Sequence, residues 1–512
     1  MDIEKSEPIA ATPQKIIFNK EKLLTAIPLI LFAVLSFAGI RYHELWLDEA
    51  HHWLLARDSH SLIELWTNTR YEGHPIVWNL ILYVITLFTN DPLWMQIVHW
   101  LLAVTAAALL MCYSPFPRYF NILFIFGYFT FYEYAIISRN YSILLIAFIL
   151  CLKNYSVRRY VPLGVSLLFL ANTHLFGLIL SLFFIIIIYS KNEFTWSRGV
   201  SLGALIFIAG IIASILQIRP PSDSPFNPDL HAVFSTISIN RFLAIFVRAF
   251  TPVPDFFNYH FWNSNLITAI SKGLAAVTSV AIILVALRIL IQRPKIALFF
   301  FGFTFSIALV IASLYPASVV QATRHFGVVY IVFIGCLWLM KDDPERKSRF
   351  RFNTRIQRIL ITALLCIQVL AGICCWYYDV KRPFTEARNV ITYLKQNKLA
   401  SLPVLTFHGP IPTISCYLER PTYSLPDGTL ESFYVWNKDL KKPIDQTTIQ
   451  AAIDFAQEKN TDCVLVTYTL IPAQEHIQSL MGFAHAAVGN TLFVYKVTMA
   501  DNVRSYRSSD NK

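Results

Sequence analysis

Apolar runs separated by short polar stretches make up most of the chain between residues 23 and 377. Many of these runs approach the roughly 17 to 25 apolar residues that an α-helix needs to cross a membrane. The first run, Leu23 to Ile40, follows a polar segment with lysines near its end, and no small-residue cleavage site comes after it. We therefore predict an uncleaved first span preceded by a cytoplasmic N-terminal segment, residues 1–22.

Basic residues between the later runs predict how the chain is threaded. Loops rich in Lys and Arg lie in the cytoplasm under the positive-inside rule. The densest such stretch, Arg346 to Arg358, precedes the run Ile359 to Tyr377, so this last span leads out of the cytoplasm. Alternation back from it gives about 11 crossings within residues 23–380, provided that Ile76 to Thr89 is an interfacial helix, because it is too short to span. The predicted outer loops are residues 41–92 and 218–265.

The chain changes character after the last span. From Lys381 onward the composition is ordinary, and the apolar pattern alternates between helical and strand-like periods. At about 130 residues this tail is long enough for a core of its own. The predicted helices are Thr385 to Leu399 and Thr447 to Glu458, and the predicted strands are Pro403 to Phe407, Cys463 to Thr467 and Thr491 to Val497. The predicted fold class is a polytopic all-α membrane protein with a C-terminal α/β extracytoplasmic domain, residues 381–512.

Composition and charge support this assignment. The 512 residues are 55% hydrophobic and 15% charged, whereas soluble proteins carry roughly 25% charged residues. Lys and Arg outnumber Asp and Glu by 43 to 32, a net charge of +11. Because the basic residues cluster between apolar runs, we assign them to cytoplasmic loops and predict no nucleic-acid partner. The cysteines form no zinc pattern, and a disulfide between Cys416 and Cys463 is left open.

Ionisable residues collect in the first outer loop. Asp48 and Glu49 are adjacent carboxylates, and His51 and His52 follow them between aromatic residues. Such residues are costly to bury near lipid without a role or partners, although a loop that points to water also accounts for them. A divalent cation held by Asp48, Glu49 and His51 is one interpretation, but the two adjacent histidines do not share a helix face.

The threading brings further ionisable residues to the same outer face. They are Glu72-Gly73-His74-Pro75, Glu133, Ser138-Arg139-Asn140, His174 and Arg324-His325. A carboxylate can accept a proton from a hydroxyl, and Arg and His can bind a phosphate. Each residue alone also has a structural explanation, such as an arginine that snorkels to the interface. Together they predict a site that handles an anionic lipid headgroup.

Three short motifs, in this order, resemble the GT-C glycosyltransferases. They are Leu47-Asp48-Glu49-Ala50, then Glu72-Gly73-His74-Pro75 at the start of an apolar helix, then Ser138-Arg139 before a span. The resemblance is to the branch with protein O-mannosyltransferases and the lipid A aminoarabinose transferase, and it covers the first 180 or so residues best. It implies a glycosyltransferase of the bacterial plasma (inner) membrane. Such an enzyme moves a sugar from a polyprenyl-phosphate carrier to a lipid, glycan or protein acceptor on the outer face.

The resemblance also implies roles for individual residues. The acidic motif falls on Asp48, the implied general base, and on Glu49. Glu133 is the implied second acidic residue, although some members have an Asp after the Arg, where this sequence has Asn140. The implied contacts of the donor phosphate are His74, Arg139, Arg324 and His325. No cofactor is implied with certainty, and a divalent cation stays open.

A transporter or lipid flippase is the main alternative. It predicts ionisable residues at mid-membrane depth on several spans and related halves. The sequence has few charges within its apolar runs and no evident internal duplication. A non-catalytic scaffold is a third interpretation, but it leaves the outer-face residues unexplained.

Overall fold

The computed structural model describes residues 20–188, 196–224, 239–314, 323–341, 355–407, 409–437, 446–472 and 474–499. Residues 1–19 of the predicted cytoplasmic segment 1–22, most of the basic stretch Arg346 to Arg358 and part of the outer loop 218–265 lie outside these residues.

Seven described helices are long and apolar enough to cross a membrane. They are α1 (Lys20–Tyr42), α5 (Leu93–Tyr113), α10 (Arg198–Ile218), α13 (Lys272–Leu290), α14 (Pro294–Leu314), α15 (Thr323–Lys341) and α16 (Arg355–Lys381). Four shorter apolar helices accompany them: α4 (Val77–Thr86), α7 (Tyr141–Ser156), α8 (Tyr160–Ala171) and α9 (Leu175–Ile188). This content is that of a multi-pass integral membrane protein, as predicted, whereas the number of crossings stays a prediction.

The remaining helices of this domain lie between or beside the apolar helices. They are α2 (Leu47–Asp58), α3 (Leu62–Thr69), α6 (Arg118–Ile125), a π-helix (Tyr128–Glu133), α11 (Ile239–Phe250) and α12 (Leu266–Ile270). Helix α11 lies within the predicted outer loop 218–265, and its residues from Ile245 onward are buried.

Two apolar stretches of the sequence are not continuous helices in the structure. The apolar stretch Tyr119 to Tyr132 is not one helix, because α6 ends at Ile125 and the π-helix follows after Gly127. The stretch Ala135 to Leu152 becomes helical only at Tyr141. Tertiary hydrogen bonds replace helical ones between these elements. The Ser142 hydroxyl donates to the Tyr134 carbonyl, and the Ser138 N–H donates to the Glu49 carboxylate. Arg139 therefore lies in a buried non-helical segment.

Helix α15 lies inside the transmembrane domain, since all of its residues from Thr323 to Met340 are buried. Gly327 allows a close approach, because a Cβ there would lie 2.2 Å from the ring of Phe129 in the π-helix. The Tyr134 hydroxyl donates to the Arg324 carbonyl at 2.7 Å. These contacts fix the first turn of α15, which carries Arg324 and His325, beside the non-helical segment that carries Arg139.

The C-terminal residues form an α/β unit around a six-stranded sheet of order β3-β2-β1-β4-β6-β5. Strand β1 is parallel to β2 and β4, and the other pairs are antiparallel. The strands are Val404–Thr406, Thr422–Ser424, Thr429–Glu431, Cys463–Thr467, Ile477–Phe483 and Leu492–Val497, and the helices are α17 (Ala387–Gln396), α18 (Ile411–Leu418) and α19 (Gln446–Glu458). All five elements that the sequence predicted are present. Helix α18 and strands β2, β3 and β5 were not predicted.

The C-terminal unit contacts the first outer loop directly. The Leu45 N–H donates to the Tyr417 hydroxyl at 2.8 Å, and the Thr385 N–H and hydroxyl donate to the Glu44 carboxylate at 3.2 Å. Cys416 packs into the same apolar cluster as α2, whereas Cys463 belongs to the core of the sheet. Both cysteines are free, so the disulfide left open by the sequence does not form.

Candidate active site

Asp48 lies in the first turn of α2, where the helix dipole favours a carboxylate. Its Oδ2 accepts from Arg324 Nη2 at 3.3 Å and also pairs with Arg139. Burial acts to raise the pKa of Asp48, but the two guanidinium charges outweigh it and hold that pKa below its usual range. The Asp48 side chain is still 22% exposed. It is therefore an ionised carboxylate, reachable from solvent, with two arginines on one oxygen.

Glu49 has a different environment although it is the next residue. Its buried carboxylate accepts the N–H of Trp46 at 2.8 Å and the N–H of Ser138, and it pairs with His43 Nε2 at 2.9 Å. The bond to Trp46 caps the start of α2. The bond to Ser138 holds the neighbour of Arg139 against the same helix. Glu49 thus positions the groups around Asp48 and does not face solvent.

His43 connects this carboxylate to the last transmembrane helix. Its Nδ1 lies 2.8 Å from Asp379 Oδ2, at the end of α16. Burial acts to lower the pKa of His43, but the Asp379 and Glu49 carboxylates outweigh it and raise that pKa to about 10. A protonated His43 between two carboxylates therefore joins the first outer loop to α16.

This network predicts a pH dependence of stability. A histidine whose pKa is raised from 6.5 to about 10 stabilises the folded state in its protonated form. That stabilisation is complete below about pH 6.5 and is lost as the pH rises toward 10. We expect the thermal unfolding midpoint of the detergent-solubilised protein to fall across this range. His43→Gln should lower the midpoint at pH 7 and flatten the slope, whereas His60→Gln, at an exposed histidine, should do neither. Equal slopes in His43→Gln and the wild type would contradict this assignment.

The rings of Trp46 and Trp262 lie against the guanidinium groups of the two arginines. The Arg324 guanidinium carbon lies 4.5 Å from the ring centre of Trp46 and 5.9 Å from that of Trp262, and the Arg139 carbon lies 5.9 Å from Trp46. Cation–π contacts of this kind orient the planar guanidinium groups.

Glu133 does not join the Asp48 cluster directly. It is buried, and it accepts from the Tyr128 hydroxyl at 2.8 Å and from Trp262 Nε1 at 3.3 Å. Burial raises its pKa above the usual range. Glu133 is thus linked to Arg324 through Trp262, which donates to Glu133 and lies against the Arg324 guanidinium.

A group of rings lies next to the arginines. The ring centres of His74 and His174 are 4.3 Å apart, those of His174 and His325 are 5.9 Å apart, and the Tyr141 hydroxyl bonds to His325 Nδ1. Burial and the charge of Arg139 lower the pKa of His74 to about 3. His74 therefore stays a predicted contact of the donor phosphate, without a positive charge of its own. Buried next to two arginines, it is a neutral imidazole.

Asn140 makes a hydrogen bond that an ionised Asp at this position could not make. Its side-chain Nδ2 donates to the Thr173 carbonyl at 2.7 Å. An ionised Asp at this position has no N–H to donate. Asn140 therefore joins the segment that carries Arg139 to the segment that carries His174.

The side chains predicted as metal ligands, those of Asp48, Glu49 and His51, do not point to one common site. Glu49 is bonded to His43 and to two backbone N–H groups, and His51 Nε2 lies 2.9 Å from Glu72 Oε1. In the part of the chain that the structure describes, no group of three or more His, Cys, Asp or Glu side chains could hold a metal ion. Asp48, Glu49 and His51 are therefore not assembled as a metal centre here.

Some residues of the site were not predicted as parts of it. His43, Asp379 and Trp262 were missed, and Glu72 was noted without its partner His51. Asp379 carried a usable signal, because an acidic residue at the end of an apolar helix calls for a partner. Trp262 carried none, since an aromatic residue in an outer loop is typical of the membrane interface.

No protein-family model matches the sequence, and no curated protein matches it. Two solved structures show similarity to this chain. One is the mycobacterial arabinofuranosyltransferase AftD, with 10% identity, a TM-score of 0.37, and coverage of 94% of this chain and 40% of AftD. The other is ArnT from Cupriavidus metallidurans bound to undecaprenyl phosphate, with 12% identity, a TM-score of 0.36, and coverage of 93% of this chain and 97% of ArnT. This chain thus spans less than half the length of AftD.

Proposed function

We propose that the protein is a membrane glycosyltransferase that moves a sugar from a polyprenyl-phosphate carrier to an acceptor hydroxyl on the outer face of the bacterial plasma membrane. The observation that carries the proposal is the partly exposed Asp48 carboxylate with Arg139 and Arg324 on one oxygen, beside the ends of apolar helices. It combines a proton acceptor with two phosphate-binding cations where a lipid headgroup can reach them.

The same contacts support an order of events. Without donor, the two arginines keep the pKa of Asp48 low, which makes it a weak base. A donor phosphate that binds these arginines competes with Asp48 for them, so the carboxylate becomes more basic when the sugar arrives. Binding of the donor thus makes Asp48 a stronger base for the transfer step.

The reaction needs few further groups. The oxygen of the acceptor hydroxyl bonds to the anomeric carbon of the sugar, and Asp48 takes up the proton of that hydroxyl. The bond from that carbon to the phosphate oxygen breaks, and the electron pair leaves with the polyprenyl phosphate. Arg139 and Arg324 hold the released anion. In this scheme Glu49 positions Asp48 and the Arg139 segment, Glu133 acts on Arg324 through Trp262, and His74 and His325 line the phosphate side.

Reconstitution tests the function directly. Purified protein in liposomes is given polyprenyl-phosphate sugars with a radiolabelled sugar and fractions of the cell envelope as acceptors. We expect labelled product and free polyprenyl phosphate from the wild type. Movement of the intact donor across the bilayer without transfer would identify a transporter or flippase instead.

The membrane orientation is a separate prediction. We expect Phe257 and Leu470, which are 83% and 67% exposed, to lie outside the cytoplasm, and Val157 and Ile291, which are 53% and 55% exposed, to lie inside. Each is replaced by Cys in a cysteine-free background and treated with a membrane-impermeant thiol reagent. The first pair should react in intact spheroplasts and the second only after permeabilisation. The reverse pattern would overturn the threading and the outer location of the site.

A further inference from the structure

His174 carries an N–H group for which the described structure provides no acceptor. Its Nδ1 accepts a hydrogen bond from the Phe176 N–H at 3.0 Å. A neutral imidazole that accepts at Nδ1 carries its proton on Nε2. His174 is 1% exposed, and among the described residues its Nε2 has no hydrogen-bond partner. A buried donor left unmet is costly, so this group calls for an acceptor.

Other buried nitrogen atoms around His174 also have no hydrogen-bond partner in the described residues. Nε of Arg139 and Nδ1 of His74 are also buried without a hydrogen-bond partner in the described residues. The His174 ring is 4.3 Å from that of His74, and the Asn140 bond to Thr173 ties its segment to that of Arg139. Several buried nitrogen atoms without a hydrogen-bond partner in the described residues lie next to two arginines. This environment suits an anion with several oxygen atoms.

We propose that His174 is a ligand of the donor phosphate and that it acts as a neutral Nε2–H donor. This inference rests on the proposed function and adds to it a residue that the GT-C-like motifs do not assign as a phosphate contact. Its ring is surrounded by titratable and charged groups from several segments. They are His74 before α4, Arg139 in the non-helical segment before α7, Tyr141 at the start of α7, and Arg324 and His325 in α15.

The surroundings explain why a neutral ring is used. Burial, the neighbouring histidines and the two arginines lower the pKa of His174 well below its usual value. The arginines provide the charge that binds the anion, and a third cation beside them would be disfavoured. A neutral N–H adds a directed hydrogen bond without that repulsion.

Binding of undecaprenyl phosphate to the full-length protein in nanodiscs tests the inference. His174→Phe keeps a ring that packs against His74 and Phe176 but removes the N–H, and we expect the affinity to fall roughly 10- to 100-fold. His174→Gln should recover part of the loss, because its amide can donate. The control His60→Gln should bind like the wild type. Wild-type affinity should persist from pH 6 to pH 8, since no imidazolium charge is lost.

Several results would overturn the inference. One is wild-type affinity in His174→Phe. Another is a tenfold fall in wild-type affinity between pH 6 and pH 8 that is absent in His174→Gln, since this would show a charged ring. If His174→Phe does not fold, His174→Gln and the wild-type pH profile decide.

The failure of the proposed function is distinguishable from these results. If the wild type binds neither undecaprenyl phosphate nor inorganic phosphate, the proposed function and this inference both fail. Binding of inorganic phosphate distinguishes a site for a lipid-linked phosphate from a site for free phosphate. Wild-type binding of inorganic phosphate that weakens in His174→Phe, without binding of the lipid, would keep His174 as a phosphate ligand and overturn the lipid donor.

Discussion

Asp48→Asn is expected to abolish sugar transfer, lowering the turnover rate by roughly 10²- to 10⁴-fold, the usual contribution of a positioned general base. Asparagine has nearly the same shape but cannot take up the proton of the acceptor hydroxyl. It also cannot compete as an anion for Arg139 and Arg324. Affinity for undecaprenyl phosphate should therefore be unchanged or higher in this variant, while transfer is lost.

This combination separates a base from a structural residue. A residue needed only for folding would lose binding and transfer together, with a lower thermal unfolding midpoint. The matched control is Asp91→Asn, because Asp91 is exposed and its Oδ1 accepts from the Leu93 N–H, a bond that asparagine can also accept. Near-normal turnover of purified Asp48→Asn with a defined acceptor would remove Asp48 as the base.

Arg139→Ala and Arg324→Ala are expected to impair use of the donor. A charge-assisted hydrogen bond to phosphate contributes about 1.5 to 3 kcal/mol, which corresponds to roughly 10- to 100-fold. Each variant should raise the donor concentration at half-maximal rate or lower the rate at saturating donor. Dependence on the acceptor concentration should change less. Lysine should rescue only in part, because its point charge cannot replace the planar guanidinium on Trp46.

Steady-state kinetics with donor and acceptor varied in turn checks this expectation. Arg382→Ala is a suitable control, since Arg382 also lies over aromatic rings, those of Tyr259 and Tyr378, and donates to backbone carbonyls. If either Arg139→Ala or Arg324→Ala altered only the acceptor dependence, that arginine would not belong to the phosphate side.

The sequence by itself determined the class of fold and the chemical types in the site. Apolar runs of sufficient length appear as helices because a backbone in lipid must satisfy its hydrogen bonds internally. The strand Cys463–Thr467 has the bounds that its pattern predicted. Asp48, Arg139 and Arg324 were identifiable because charges next to apolar runs are too costly to be incidental.

Only the tertiary structure decided which of these residues meet. Arg324 and Asp48 are 276 positions apart, and no local pattern links them. Glu49 is adjacent to Asp48, but successive helical residues point in different directions, so one carboxylate faces solvent and the other faces His43 and Ser138. In the non-helical segment with Arg139, the Ser138 N–H bonds to Glu49, a contact that the apolar pattern does not encode. The histidines beside the arginines are neutral because packing removes their water, and the charge of a histidine depends on that burial and not on its position in the sequence.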